Sequence, residues 1–364
     1  MAPEILATYS WDMRRLPPSL LGCLCALVVG AGAVPAAGSV TRAPLLGVRS
    51  VAIPIGARPV DSSHPARVVG HGTAASCTSA AVVAAVRAGG IIRFSCGPRP
   101  VTITMSETAK VRNTSLQVVL DGGGLVTLSG AGRRRILYMD TCDPAQVWTT
   151  SHCQDQSSPE LVVQNLSFED GNSTGEEFDG GGGGAIFARG GRLRIINAVF
   201  SSNQCDPNGP DIGGGAVRAL SQYDNLPVYV AGSRFTGNAC SNGGALSSIG
   251  VSWTVLNSRF LDNRAIGTGA NPARAGTPGG GSGGAIYNDG DEMTLSIAGS
   301  LFLDNHANEG GGAILFVSDN RTGTMTITRS TLERNPNAGF HTAGLPGIFF
   351  LGARSPAITG SLLR

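Results

Sequence analysis

The chain has 364 residues, 53 of them glycine, and its 27 basic against 25 acidic side chains leave a net charge of only +2. Glycine is at about twice its usual ~7%, charged residues make up 14% and apolar ones 41%. These values exclude a collagen, a coiled coil, a disordered charged tail and a polytopic membrane protein, and they leave no basic field to hold nucleic acid.

Arg14-Arg15 precede an apolar run over residues 20–34, which ends in Val34-Pro35-Ala36-Ala37. A short basic region, an apolar stretch and small residues predict a secretory signal peptide over 1–37, with Met13 the more natural start. The run is too short to span a bilayer, so no integral membrane segment is expected in the mature chain. Leu20-Leu21-Gly22-Cys23 has the form of a lipoprotein cleavage box, but the apolar stretch continues past the cysteine, the reverse of the lipoprotein order. Residues 38–76, without periodicity, read as a linker or flexible mature N-terminus. The expected location is secreted or cell-surface.

Setting aside Cys23 and Cys25, six cysteines remain: Cys77, Cys96, Cys142, Cys153, Cys205 and Cys240. An even number in an exported chain predicts disulfides. Proximity pairs Cys77 with Cys96 and Cys142 with Cys153. A zinc site from Cys142, His152 and Cys153 lacks a fourth ligand and the usual spacing. Between the first pair, 80–87 is Ala/Val-rich and reads as a helix. It would plug the N-terminal end of the strand-bearing region, where an open strand edge invites aggregation. Residues 91–94 and 118–128 read as early strand-bearing coils.

From residue 183 two phrases alternate strictly. One is Gly-Gly-Ala-aliphatic, with its alanine at Ala185, Ala216, Ala245, Ala285 and Ala313. The other is Phe-x-x-Asn, pairing Phe200 with Asn203, Phe235 with Asn238, Phe260 with Asn263 and Phe302 with Asn305, with Leu332 and Asn335 as a variant. Seven and five residues before the aromatic stand only apolar side chains, such as Val228 and Val230 or Trp253 and Val255. That is the period-two alternation of a strand with one buried face. Three residues before it stands Asn165, Asn197, Gly232, Asn257 or Gly299, a turn residue. The Gly-Gly-Ala phrase supplies another short strand, entered through a glycine turn that permits positive φ.

The distance from Ala185 to Phe200 and from Ala245 to Phe260 is 15 residues, whereas the return arc varies. One arc therefore absorbs insertions, as in a solenoid whose coils stack like over like. Helical repeats lack support because no 3.6 period is present, and a propeller blade needs longer units. The chain from 77 to 364 is thus predicted to be one all-β parallel solenoid of about eight to ten coils. In that register Cys205 and Cys240, each five residues after its Phe, occupy equivalent places ~4.8 Å apart, within disulfide reach. The asparagines stack as a ladder.

The alternating phrases over 183–335 resemble the right-handed parallel β-helix passenger domains of chlamydial-type polymorphic outer membrane proteins. The stretch from Cys77 through Phe94 resembles the opening of exported β-helix proteins of the pectate-lyase-like superfamily, and the looser likeness covers 77–350. The resemblance implies a single-stranded right-handed β-helix, a surface-exposed rod whose partner is a polysaccharide or a cell-surface glycan or protein. The family's C-terminal β-barrel has no room here, and 347–351 reads as a further coil without a clear cap, which suggests a truncated end.

That superfamily includes polysaccharide lyases and glycoside hydrolases, which need clustered carboxylates for acid–base work or calcium, with an Arg or Lys to take a proton. The acids in the repeats are Glu169, Asp170, Glu176, Glu177 and Asp179, then Asp206 and Asp211, then Asp262 and Asp304 at the same place in two coils. Stacked carboxylates, or the loop from Asp206 to Asp211, could hold Ca²⁺; solvated turn residues are the plainer reading. The glycine clusters lack the Gly-Lys-Ser/Thr of a phosphate loop. Arg133-Arg134-Arg135 reads as a solvated face. No catalytic, cofactor-binding or metal-binding residue is assigned. The leading expectation is a non-enzymatic β-helix acting in adhesion or glycan binding; the alternative is a carbohydrate-active enzyme. A cleft lined by several acids and an Arg favours the enzyme, and a smooth face with long Gly-rich insertions such as 264–283 favours binding.

Overall fold

The computed structural model describes residues 48–176 and 180–364. The expected signal peptide over 1–37 lies outside them. Each coil visits three sheets in turn. One runs through Val217–Leu220, Val228–Ala231 and Arg234–Thr236, and the next through Leu246–Ile249, Trp253–Leu256 and Arg259–Leu261. Stacking gives sheets of eight, ten and nine strands in that order of visit, plus a three-stranded one from Ala239–Cys240, Arg264–Ala265 and His306–Ala307. Every ladder between these strands is parallel. The chain is a parallel β-helix, and its core fills the tube.

The repeat phrases explain themselves in the turns. The first glycine of Gly-Gly-Ala is left-handed, with φ of 66° at Gly183 and 78° at Gly214. At the second, a Cβ on Gly244 would strike the backbone of Gly284 and Arg264 in the next coil. The alanine after them is fully buried. Asn165, Asn197 and Asn257 turn the corner before the Phe strand with φ of 49–50°, a conformation that Asn tolerates and β-branched residues do not.

Three ladders run along the inside of the tube. Phe168, Phe200, Phe235, Phe260 and Phe302 stack with ring centroids 4.9, 4.7, 4.8 and 4.5 Å apart. Asn203, Asn238, Asn263, Asn305 and Asn335 are linked, each Nδ2 donating to the next Oδ1 at 2.8–2.9 Å. The third ladder, of serines, was missed in the sequence. Ser233, Ser258, Ser300, Ser330 and Ser361 each accept, through Oγ, the backbone N–H of the equivalent residue one coil earlier at 3.0–3.1 Å. Its signal was a Ser two residues before Phe235, Phe260, Phe302 and Leu332.

The helix α1 (Ser79–Ala88) starts on Thr78, whose side chain accepts from the Ala81 N–H, and stops at Gly89 with φ 71°. Its buried Val82 and Val86 join the core at the N-terminal end, as the expected plug. At the other end Ile348–Leu351, Ala357–Thr359 and Leu362–Leu363 extend the three main sheets by one more strand each.

Residues 48–76 depart from the linker expectation: Arg67–Val69 is the first strand of the ten-stranded sheet, and the residues before it form a strap on that sheet's outer face. Val51 exchanges two hydrogen bonds with the Asn257 side chain, at 2.8 and 2.9 Å. Val60 does the same with Gln164, also at 2.8 and 2.9 Å. The strap covers Val119, Val162 and Ile196 at one end and Ala231 and Leu256 at the other, which explains why outward positions there are apolar. Asn257→Gly keeps the left-handed turn while deleting both bonds to Val51. It should cost about 1–2 kcal/mol and speed hydrogen exchange at the Val51 amide; unchanged exchange would show that the strap is held otherwise.

All three expected bridges are present, with Cα separations of 5.6 Å for Cys77–Cys96, 4.9 Å for Cys142–Cys153 and 4.8 Å for Cys205–Cys240. Replacing Cys205 and Cys240 together by Ser should lower stability by about 3 kcal/mol, since their bridge closes a long loop. Denaturant midpoints with and without reductant check it.

Candidate functional site

The outward rows of the eight-stranded sheet carry several large aromatic and aliphatic side chains. In register along one row stand Tyr138, Phe187, Arg218, Ser247, Tyr287, Leu315 and Phe349. Beside it run Asp289, Val317 and Leu351. Toward the C-terminal end these rows floor a cleft of about 380 Å³, with Asn271 and Pro272 on one side, Phe340 on another, and Asp319 at its margin. That volume is in the range of small-molecule sites.

The insertion after Arg264 builds one wall. It folds back through antiparallel bridges from Thr268 to Gly279 and Ala270 to Gly280. Arg274 clamps it, donating from both Nη atoms to the Glu309 carboxylate at 2.9 and 2.7 Å, while Glu309 Oε1 accepts the Gly269 N–H at 2.8 Å. The guanidinium holds the Glu309 carboxyl below its usual range. Thus placed, Asn271 Nδ2 donates to Tyr287 Oη at 2.8 Å and Asp211 Oδ1 at 2.9 Å, and lies 3.4 Å from Asp289 Oδ2. The Tyr287 hydroxyl donates to Asp289 Oδ2 at 3.0 Å.

The loop from Asp206 to Asp211 answers the calcium expectation. The carbonyls of Gly209, Pro210 and Ile212 converge on Asn242 Nδ2 at 3.2, 2.7 and 3.2 Å, and Gly209 O also accepts from Ser241 Oγ. A side-chain amide fills the place a cation would take. Beneath the loop, buried Arg218 donates to Ser247 Oγ and to the Asp211 carbonyl, both at 2.5 Å. Burial lowers its pKa to about 10, so it is still charged at neutral pH. Among the described residues no group of three or more His, Cys, Asp or Glu is placed to hold a metal ion.

Asp289 has its pKa raised, first by burial and then by the charges of Asp319 and Asp211, against the Tyr287 hydrogen bond. Burial and the Asp289 charge likewise push Tyr287 upward. The folded protein therefore holds the Asp289 proton more tightly than the unfolded chain does. Its contribution to stability is full below the ordinary carboxyl pKa and is lost as pH rises through the raised value. Asp289→Asn should flatten that part of the stability curve, read as urea midpoints between about pH 4 and 7.

Of the described acids singled out in the sequence, only Asp211 reaches the cleft's edge, through its hydrogen bond with Asn271. Asp170, Asp262 and Asp304 sit in left-handed turns with φ of 50–57°, and Asp304 is bound by Arg334 at 2.7 and 2.8 Å. Glu176 pairs with Arg135 at 2.7 Å; Glu177 and Asp179 lie outside the described residues. The arginine run is not uniformly solvated. Arg135 is buried, donating to the carbonyls of Gly182 and Gly183 at 2.8 and 3.1 Å, because the glycine turn closes over it. Asn271, Tyr287, Asp289 and Asp319 were missed. For Tyr287 and Asp289 the signal was that Gly-Gly-Ala-Ile is followed by Tyr-Asn-Asp, where the sister coil has Ser-Ser.

No protein-family model, curated protein or solved structure matches the chain. Among the described residues no helix is long and apolar enough to cross a membrane.

Proposed function

We propose that the protein is an exported or cell-surface β-helix that binds a glycan in the cleft over Tyr287 and Phe349, with no chemistry performed on it. The observation that carries this is the pairing of an apolar floor with a polar margin. Leu315, Val317 and Phe349 offer surface for the C–H face of a sugar ring, and Asn271, Asp289 and Asp319 offer hydroxyl-binding groups at its edge. The disulfides fit an oxidising compartment. The likeness of the repeats to polymorphic outer membrane protein passengers, within a pectate-lyase-like architecture, supports a surface role. A glycan array probed with the mature protein tests it: Phe349→Ala should weaken the hits at least tenfold, whereas Arg133→Ala, at an exposed turn away from the cleft, should leave them unchanged. Absence of any glycan hit rejects the reading.

One observation favours the enzymatic alternative, a polysaccharide lyase or glycoside hydrolase. Asp289, held toward its protonated form beside other carboxylates, is suited to a general acid. Reducing-end release from a bound glycan, abolished in Asp289→Asn with binding retained, would establish turnover.

A further inference from the structure

Resting on the glycan-binding reading, we propose that the cleft selects sugars bearing a free, cationic amine, the class of de-N-acetylated amino sugars, over neutral or acidic ones. Three features of the cleft point there. First, Asp211, Asp289 and Asp319 form no ion pair among the described residues. The nearby guanidinium, Arg218, is buried beneath Asp211 and already donates to Ser247 and to a backbone carbonyl. Gathering carboxylates at a half-covered margin costs free energy through their mutual repulsion, and a cation delivered by the ligand relieves it.

Second, carboxylate oxygens stay open at the margin. Asp211 Oδ1, Tyr287 Oη and Asp289 Oδ2 are engaged by the Asn271 side-chain nitrogen, whereas Asp211 Oδ2 and both Asp319 carboxylate oxygens accept no hydrogen bond among the described residues. An ammonium, with three donors and no acceptor, matches these open acceptors. Phe340 and Phe349 stand edge-to-face, 4.8 Å between centroids, and supply a ring face that also attracts a cation.

Third, Ser282 lines the same cleft, is 1% exposed, and has an Oγ without a hydrogen-bond partner among the described residues. A buried hydroxyl left unpaired in a polar cleft is a place for a ligand group. The same margin repels a polyuronate, so acidic polysaccharides are disfavoured on the charge of the site alone.

The test is calorimetric titration of the mature protein with three hexamers: a β-1,4-glucosamine, its fully N-acetylated counterpart and an oligogalacturonate. The free amine should bind at least tenfold more tightly than the acetylated form, and the oligogalacturonate not measurably. Asp319 is exposed and its carboxylate makes no hydrogen bond or ion pair among the described residues, so Asp319→Asn should fold normally. That variant should shrink the ratio of free-amine to acetylated affinity several-fold. Equal binding of the two amino-sugar hexamers, or tighter binding of the oligogalacturonate, overturns the cationic preference while leaving glycan binding standing. Silence from all three together with an empty array overturns both.

Discussion

Phe235→Ala should lower the free energy of unfolding by about 3–5 kcal/mol. Phe235 is fully buried, with parallel rings of Phe200 and Phe260 at 4.7 and 4.8 Å on either side. Removing it deletes the transfer contribution of a phenyl ring and opens a hole between two rings. Those rings cannot close on one another, because the hydrogen-bonded ladder through Phe200, Phe235 and Phe260 fixes the coil spacing. Phe235→Leu should cost only about 1–2 kcal/mol, since Leu332 already fills the equivalent place beside Phe302. Chemical denaturation with intact disulfides reads both. A loss below about 1 kcal/mol for the alanine would mean that the ring is not the spacer the stack makes it.

The second large effect is expected at Asn238→Ala, about 4 kcal/mol from four buried hydrogen bonds lost together. Asn238 Oδ1 accepts from the backbone N–H and the Nδ2 of Asn203 at 3.0 and 2.9 Å. Its own Nδ2 donates to Phe200 O at 3.2 Å and Asn263 Oδ1 at 2.8 Å. The side chain therefore uses its full capacity of two donors and two acceptor sites, inside a turn that water does not reach. Alanine deletes four buried hydrogen bonds at once. Asn335, at the end of the ladder and 7% exposed, makes one fewer bond, so Asn335→Ala should cost clearly less. Comparable losses at the two positions would refute a ladder whose interior members carry the greater load.

The strap and the cleft share one structural origin. A parallel β-helix buries the inward half of each strand without help, so outward apolar residues need another partner. Over the ten-stranded sheet that partner is the chain's own segment before residue 67, which covers Val119, Val162 and Ile196. Over the C-terminal end of the eight-stranded sheet, Phe340 and Phe349 remain half-buried around a cleft. The first surface is satisfied internally, and the second stays open as the cleft.

The repeat alone determined the fold, its register, the phenylalanine and asparagine ladders and the Cys205–Cys240 bridge. Each coil buries like over like, so one-dimensional spacing maps directly onto three-dimensional stacking. The capping helix was legible from its Ala/Val composition, and the other two bridges from proximity. The serine ladder was present in the spacing and was overlooked. Tertiary structure decided what spacing does not encode: that residues 48–62 lie on the outer face, more than a hundred positions from Gln164 and more than two hundred from Asn257. It also decided that Asp211, Asn271 and Asp289 meet at one nitrogen although 60 and 18 residues separate Asn271 from the two acids. Insertions carry no repeat phase, so their destination is set only when Arg274 finds Glu309 and Arg218 finds the carbonyl of Asp211. The solenoid was written in the periodic part of the chain, and the site in the parts that break the period.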